Sequence, residues 1–238
     1  MHSPYGLELN GSCENCSQRG DQFFCNLPKP ELKAFESIKY TSGYPKGAVL
    51  FVEEEAPRGV FVVCKGRVKL TMTSIDGKTM ILRIVGPGEV LGLHAVVSGE
   101  AYQSTAETME PCQFDFVRRE DFLRFLRDHA EASIHAAQQL SGNYQAACAQ
   151  IRSLGLTHSA SGKLAKFLLE SSAAGQVTKQ GTRMRLTMTH EEIGQMIGAS
   201  RETVTRTLGQ FKQRQVVAQN GSMMLIQNRA ALETYAGA

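Results

Sequence analysis

The stretch LTMTHEEIGQMIGASRETVTRTLGQFKQRQVV, residues 186–217, decides how this 238-residue chain is read. Thr189 followed by Glu192 makes a capping box and predicts a helix starting near His190. Gly198 supplies a turn, and Ser200 is a good N-cap for a second helix. In that helix Val204, Leu208 and Phe211 form one apolar stripe, joined by Ile193 and Ile197 from the helix before. Arg201, Glu202, Thr205 and Arg206 occupy the opposite face of its first two turns. An apolar rear with polar, far-reaching side chains at the front N-terminal end is what a helix-turn-helix needs to enter a major groove. Arg201 or Arg206 can donate two hydrogen bonds to guanine, Glu202 can accept from the cytosine amine, and the Thr205 methyl can meet a thymine methyl. A solvated charged face is the plainer alternative, and the complete cap–turn–cap pattern argues against it. Next, VVAQNGSMMLIQ (216–227) reads as a β-hairpin around Asn220-Gly221, a wing placed to touch the DNA backbone. Lys163, Lys166, Lys212 and Arg214 are candidate phosphate contacts.

Charge follows the same division. From Thr157 onward 10 Lys/Arg stand against 5 Asp/Glu, whereas residues 1–156 hold 16 and 18, within an overall net charge of +3. A basic C-terminal third fits a polyanion partner. Upstream, GYPKGAVLF, FVVCKGRVKLTM, SIDGKTMILRIVGPGEVLG and QSTAETMEPCQFDFV alternate apolar and polar residues between glycine corners, with Asp76-Gly77 as a hairpin signal. Many short strands at this spacing predict a compact β-roll or barrel. From about Arg119 to Leu154 the period changes. Positions 133, 137, 140, 144, 147, 151 and 154 carry Ser, Ala, Leu, Tyr, Ala, Ile and Leu, an uncharged heptad seam. The seam predicts pairing with a second copy through Ala137, Leu140, Tyr144, Ala147, Ile151 and Leu154, packing within its own domain being the alternative. GLTHSASG (155–162) reads as a hinge. The expected architecture is α+β: a cysteine-rich segment (1–29), a β-roll (30–118), a dimerisation helix region (119–156) and a winged helix-turn-helix (157–238).

Several classes are excluded. No apolar run approaches the ~20 residues needed to cross a bilayer. The first residues, MHSPYGLELNGSC, lack the basic and apolar regions of an export signal, so a cytoplasmic setting with reduced thiols is expected. No nucleophile–base motif, P-loop or dinucleotide fingerprint occurs, and the histidines at 2, 94, 129, 135, 158 and 190 lack ligand spacing, so no catalytic residue is assigned.

CENCSQRGDQFFC, residues 13–25, sets three thiols on a short leash, with zinc, iron–sulfur or ordinary thiol readings open. The order of β-roll, long helix and winged helix-turn-helix, roughly Leu32 to Ala236, resembles the family of the catabolite activator and the fumarate-and-nitrate-reduction regulator (CRP/FNR). RETVTR (201–206) matches that family's recognition helix, with Glu202 and Arg206 at its base-reading positions. The resemblance implies a homodimer on double-stranded DNA, an inverted repeat with a TGA-like core in each half, and RNA polymerase as a further partner. The segment 88–107 would be the phosphate cassette of cyclic-nucleotide binders, where the arginine–hydroxyl pair is here Gln103-Ser104. Without that cation a buried phosphate is costly, so no cyclic nucleotide is expected, and Gly88, Glu89 and Gly92 read as corners of the roll.

Cys112, in EPCQFDF, resembles the fourth cluster ligand of FNR-type oxygen sensors. Cys13, Cys16, Cys25 and Cys112 would then hold a [4Fe–4S] cluster responding to oxygen, redox state or nitric oxide. An intact cluster is expected to tie the N-terminal segment to the roll, and its loss to weaken DNA affinity. A zinc or thiol switch, or no cofactor at all, remain alternatives, and zinc is disfavoured because the third and fourth cysteines are not paired in sequence. An electron carrier would not need the reader, and a haem sensor using His94 is a remoter option. Cys64 and Cys148 read as small buried hydrophobes.

Overall fold

The computed structural model describes residues 4–16, 23–156 and 159–237. Its contacts divide the chain into Met1–Ala146 and Ala147–Ala238.

In the first unit α1 (Lys29–Ile38) precedes β1 (Lys39–Tyr44), β2 (Val49–Phe51), β3 (Gly59–Lys65), β4 (Val68–Thr73), β5 (Thr79–Val85) and β6 (Val90–Leu91). Then come α2 (Leu93–Ser98), β7 (Thr105–Thr108), β8 (Cys112–Arg118), α3 (Arg119–Asp128) and α4 (Ala130–Leu156). Two four-stranded antiparallel sheets, ordered β1-β8-β3-β6 and β2-β7-β4-β5, make the expected roll. Phe51, Phe61, Val63, Val68, Val85, Phe114 and Cys112 fill the space between them. The first sheet is covered on its other face too, where Val60, Val62 and Val117 pack against Phe24, Leu32 and Phe35, Phe122 and Phe125 of α3, and Ala132 and Ala136 of α4. Burial on both faces explains why β3 reads GVFVVCK, a nearly unbroken apolar run.

Two elements depart from expectation. The β-roll expected from residue 30 instead opens with the helix Lys29–Ile38: proline stands in its first turn, and Leu32 and Phe35 put one apolar face inward. The long helical region breaks at His129, whose backbone is extended (φ −131°, ψ 101°). The Ser133 hydroxyl donates to the Leu126 carbonyl across that break (2.6 Å).

The second unit holds the last turns of α4, then α5 (Ala160–Ser171), β9 (Gln176–Thr178), β10 (Gly181–Arg185), α6 (His190–Ile197), α7 (Arg201–Gln213), β11 (Val217–Asn220), β12 (Met223–Ile226) and α8 (Arg229–Ala236). Its sheet runs β11-β12-β10-β9, and the β11–β12 hairpin turns at Gly221 (φ 56°), as the Asn-Gly signal predicted. The division at 146/147 falls inside α4, upstream of the expected hinge. The reason is contact: Gln150 Nε2 donates to the Met196 carbonyl (2.8 Å), and Lys163 Nζ to the Leu154 carbonyl (2.8 Å). Thr157 and His158 of the hinge motif lie outside the described residues. Among the described helices none is long and apolar enough to cross a membrane.

One side chain fastens α4 to the roll. Gln139, 2% exposed, accepts from the Val90 amide (3.1 Å) and donates to the Val90 carbonyl (2.7 Å). Gln139→Leu strands both backbone groups and is expected to cost about 1–3 kcal/mol, read as a lower urea midpoint with an unchanged slope.

Candidate functional site: a helix-borne reader and a thiol cavity

The reader is assembled by its caps. Thr189 Oγ1 accepts from the Glu192 amide (3.1 Å) while Glu192 Oε2 accepts from the Thr189 amide (2.8 Å), completing the box that starts α6. Gly198 ends α6 in the left-handed region (φ 67°), and Ser200 Oγ accepts from the Thr203 amide (3.2 Å) to start α7. Ile193, Ile197, Val204, Leu208 and Phe211 are buried together, so the α7 face bearing Arg201, Glu202, Thr205 and Arg206 is turned outward and exposed. Thr205 Oγ1 donates to the Arg201 carbonyl (2.9 Å) and accepts from His190 Nδ1 (2.8 Å). Burial and the neighbouring Lys212 and Arg201 charges lower the His190 pKa. The α7 N-terminus, through its own amide and the Ser200 hydroxyl, lowers that of Glu202, which therefore stays a hydrogen-bond acceptor at neutral pH.

Two phosphate candidates have other work. Lys163 caps the end of α4, as noted, and Arg214 donates to the Tyr235 hydroxyl. Lys212 is exposed and Lys166 half-buried.

Much of the heptad seam is solvent-exposed along α4. Tyr144 is 72% and Ile151 69% exposed, Ala137 and Ala147 are exposed, and Leu140 and Leu154 are half-buried. Ala132, Ala136 and Gln139, on the other face, meet the roll.

Three of the four predicted cysteine ligands gather and one does not. Cys13, Cys16 and Cys25 line a cavity of about 440 Å³ together with Lys39, Asp115 and Cys64. Asn10 and Gln113 exchange two hydrogen bonds (3.0 and 2.6 Å), and the Cys13 amide donates to Glu36, so the N-terminal segment lies on the outer face of β8 beside α1. Cys25 is held by its neighbour Phe24, packed against Phe35 (6.1 Å between ring centroids) and Phe122 (5.6 Å). At the cavity floor Lys39 Nζ donates to Asp115 (2.7 Å) and to Cys13 Sγ (3.0 Å), and Thr41 donates to the other Asp115 oxygen (2.5 Å). Burial pushes the Cys25 thiol up to about 12, with nearby Cys16 and Cys13 adding to the shift. Burial raises Cys64 and Cys13 too, the latter opposed by the Lys39 ammonium.

Cys112 belongs elsewhere. On β8 it points with Phe114 between the two sheets, its Sγ donating to the carbonyls of Glu110 (3.1 Å) and Arg67 (3.5 Å). The period of two along the strand sends Gln113 and Asp115 to the cavity and Cys112 away from it, so the expected set of four does not converge. Cys64, expected as a small buried hydrophobe, is half-buried and lies on the cavity wall, outside the hydrophobic clusters. As placed, the described residues contain no group of three or more His, Cys, Asp or Glu side chains that could hold a metal ion.

At the cassette, Gly88 (φ 88°) and Gly92 (φ 75°) are left-handed corners, as read from sequence. Gln103 is exposed and meets His94 (3.0 Å), while Ser104 is buried. Glu89 is engaged by Arg83, which also reaches Asn143 on α4, a pairing across 60 residues that no local signal announces.

Residues 42–129 match the cyclic nucleotide-binding domain, and 162–235 the Crp-like helix-turn-helix domain. The chain is 25% identical over 198 residues to the cAMP-activated global transcriptional regulator CRP of Pasteurella multocida, covering 83% of this chain and 94% of the relative. It is 28% identical over 191 residues to a CRP-like cAMP-activated global transcriptional regulator of Mycobacterium tuberculosis, covering 79% and 84%. Among solved structures, FixK2 from Bradyrhizobium japonicum shares the fold (TM-score 0.72, 24% identity, 84% of this chain and 98% of that one).

The Lys39–Asp115 pair, with side chains 4% and 3% exposed, is a buried ion pair. Lys39→Met leaves the Asp115 charge without its cation and is expected to lower the stability of reduced, metal-free protein by about 3–5 kcal/mol. Denaturation of Lys39→Met/Asp115→Leu is expected to show most of that loss recovered.

Proposed function

Since the chain belongs to the CRP/FNR family of DNA-binding transcription regulators, we propose that it acts as a homodimer whose grip on an inverted-repeat site follows an oxygen- or redox-sensitive iron–sulfur cluster held at the N-terminal thiol cavity. The observation that carries this reading is the gathering of Cys13, Cys16 and Cys25 on one cavity backed by the core that also receives the foot of α4. A bound cluster supplies an oxidisable group anchored through cysteine thiolates. The chain's own part is mechanical. Gln113, Glu36 and Lys39 hold residues 10–13 on the sheet, and Phe24 anchors Cys25 among Phe35 and Phe122. Ala132, Ala136 and Leu140 of α4 pack on the same cluster of side chains. Loosening the thiols therefore disturbs packing next to Leu140 of the seam and shifts the balance between DNA-competent and incompetent pairings.

The second copy is the proposed occupant of the seam, because a reader with one exposed recognition helix covers one half-site and a palindrome needs two. Arg201, Glu202, Thr205 and Arg206 read bases, while Ser200 and Thr189 set the helices that present them. On this reading the protein works in the cytoplasm and meets RNA polymerase, as the family resemblance implies. A cyclic-nucleotide response is the second reading, favoured by the domain match over 42–129. Against it stand Gln103 in place of a cation and the engagement of Glu89 by Arg83. Calorimetry with cAMP separates the two.

Protein purified without air is expected to contain iron and labile sulfide, to absorb in the visible, and to lose that absorption together with palindrome affinity on exposure to air. A colourless, iron-free preparation returns the protein to the cofactor-free or thiol-switched regulators. Arg206→Ala is expected to weaken binding to the selected inverted repeat by about 1–3 kcal/mol per half-site, by fluorescence anisotropy, with random duplex far less affected.

A further inference from the structure

We propose that Cys64, and not Cys112, supplies the fourth thiol of the N-terminal site, so that Cys13, Cys16, Cys25 and Cys64 surround one cavity. The assignment rests on the cluster reading above and changes its ligand set.

Strand geometry carries it. Alternate residues of a strand face opposite sides of the sheet. Along β3, Val60 and Val62 pack on the outer core while Phe61 and Val63 pack between the sheets, which sends Cys64 outward. The pairing of β3 with β8 then slips, from Val63 opposite Phe114 to Lys65 opposite Gln113, leaving Cys64 as the extra residue of a bulge. A bulge re-aims side chains and loosens the ladder locally. Here it brings Cys64 and Lys65 together onto the cavity wall. Lys65 Nζ donates to the Glu8 carbonyl (2.6 Å), so the bulge also grips the N-terminal segment that carries Cys13.

Cys112 has no comparable route. It is fully buried between the sheets, and its sulfur lies so close to Gly66 that a methyl group there would strike it. Bringing it to the cavity requires turning β8 over, which would also move Phe114 out of the core and Asp115 off Lys39. The charge environment agrees. Several thiolates concentrate negative charge, and Lys39, which also pairs with Asp115, places a buried hydrogen-bond-donating ammonium 3.0 Å from Cys13 Sγ on the cavity floor.

Full-length protein reconstituted without air using ferrous iron and sulfide provides the test. Cys64→Ser is expected to lose the bound iron, the sulfide and the visible absorption, whereas Cys112→Ser retains all three at wild-type stoichiometry. A folded Cys112→Ser without iron, or a Cys64→Ser with its full complement, overturns the assignment. Circular dichroism checks folding, and Cys112→Ala replaces the serine variant if a hydroxyl proves unsuitable in that core. A wild-type chain that takes up no iron defeats the cluster reading but still leaves the thiol set open to measurement. In that case reduced, metal-free protein is treated with dibromobimane, which becomes fluorescent on bridging two neighbouring thiols. Peptide mapping is expected to find Cys64 bridged to Cys13, Cys16 or Cys25. Bridges that include Cys112, or that never include Cys64, overturn it.

Discussion

The sheet β1-β8-β3-β6 is buried on both faces, and that constraint organises the N-terminal unit. A strand covered on both sides has little face to spare: up to the bulge at Cys64, the apolar residues of β3 and β8 are divided by parity between two cores. One core closes the roll, with Phe61, Val63, Cys112 and Phe114. The other, with Val60, Val62 and Val117, receives the N-terminal segment, α1, α3 and the foot of α4. A polar cavity opens at the edge of this second core, because Gln113, Asp115 and Cys64 occupy outward positions next to the bulge.

Polar groups in that position are tolerated because they are paired. Asp115 accepts from Lys39 and Thr41, and Gln113 is matched by the backbone of Asn10. Such networks do little for net stability compared with apolar packing, but they determine where the segment carrying Cys13 sits. The same core links chemistry to architecture. Phe24, next to Cys25, touches Phe122 on α3, and α3 leads directly into α4, which exposes Tyr144 and Ile151. The thiol segment and the foot of α4 thereby rest on one shared core.

The C-terminal unit is organised by local rules. Capping box, left-handed glycine and serine cap follow one another within Thr189–Ser200, each satisfied by a neighbour within a few residues. Local satisfaction is why the reader was legible in the chain without knowledge of its surroundings. The hairpin at Asn220-Gly221 was legible for the same reason. The hairpin of β9 and β10 and the helix α1 were overlooked: the first is short and polar, and the second sits where strand-like glycine punctuation dominates the reading downstream.

Sequence by itself determined the family fold, the capped recognition helix, the uncharged seam and the presence of closely spaced N-terminal thiols, since each is written in spacings of a few residues. Tertiary structure alone decided which distant groups meet those thiols. Cys112 sits at the strand position the resemblance picked out, yet its parity turns it into the roll, while Cys64, read as an ordinary apolar residue, reaches the cavity at a bulge. Lys39, Asp115 and Arg83 were likewise silent in the chain and found their partners only on folding. The physical reason is that strand register and bulges arise from pairing between segments far apart in sequence, and a single-residue change of register exchanges one face of a sheet for the other.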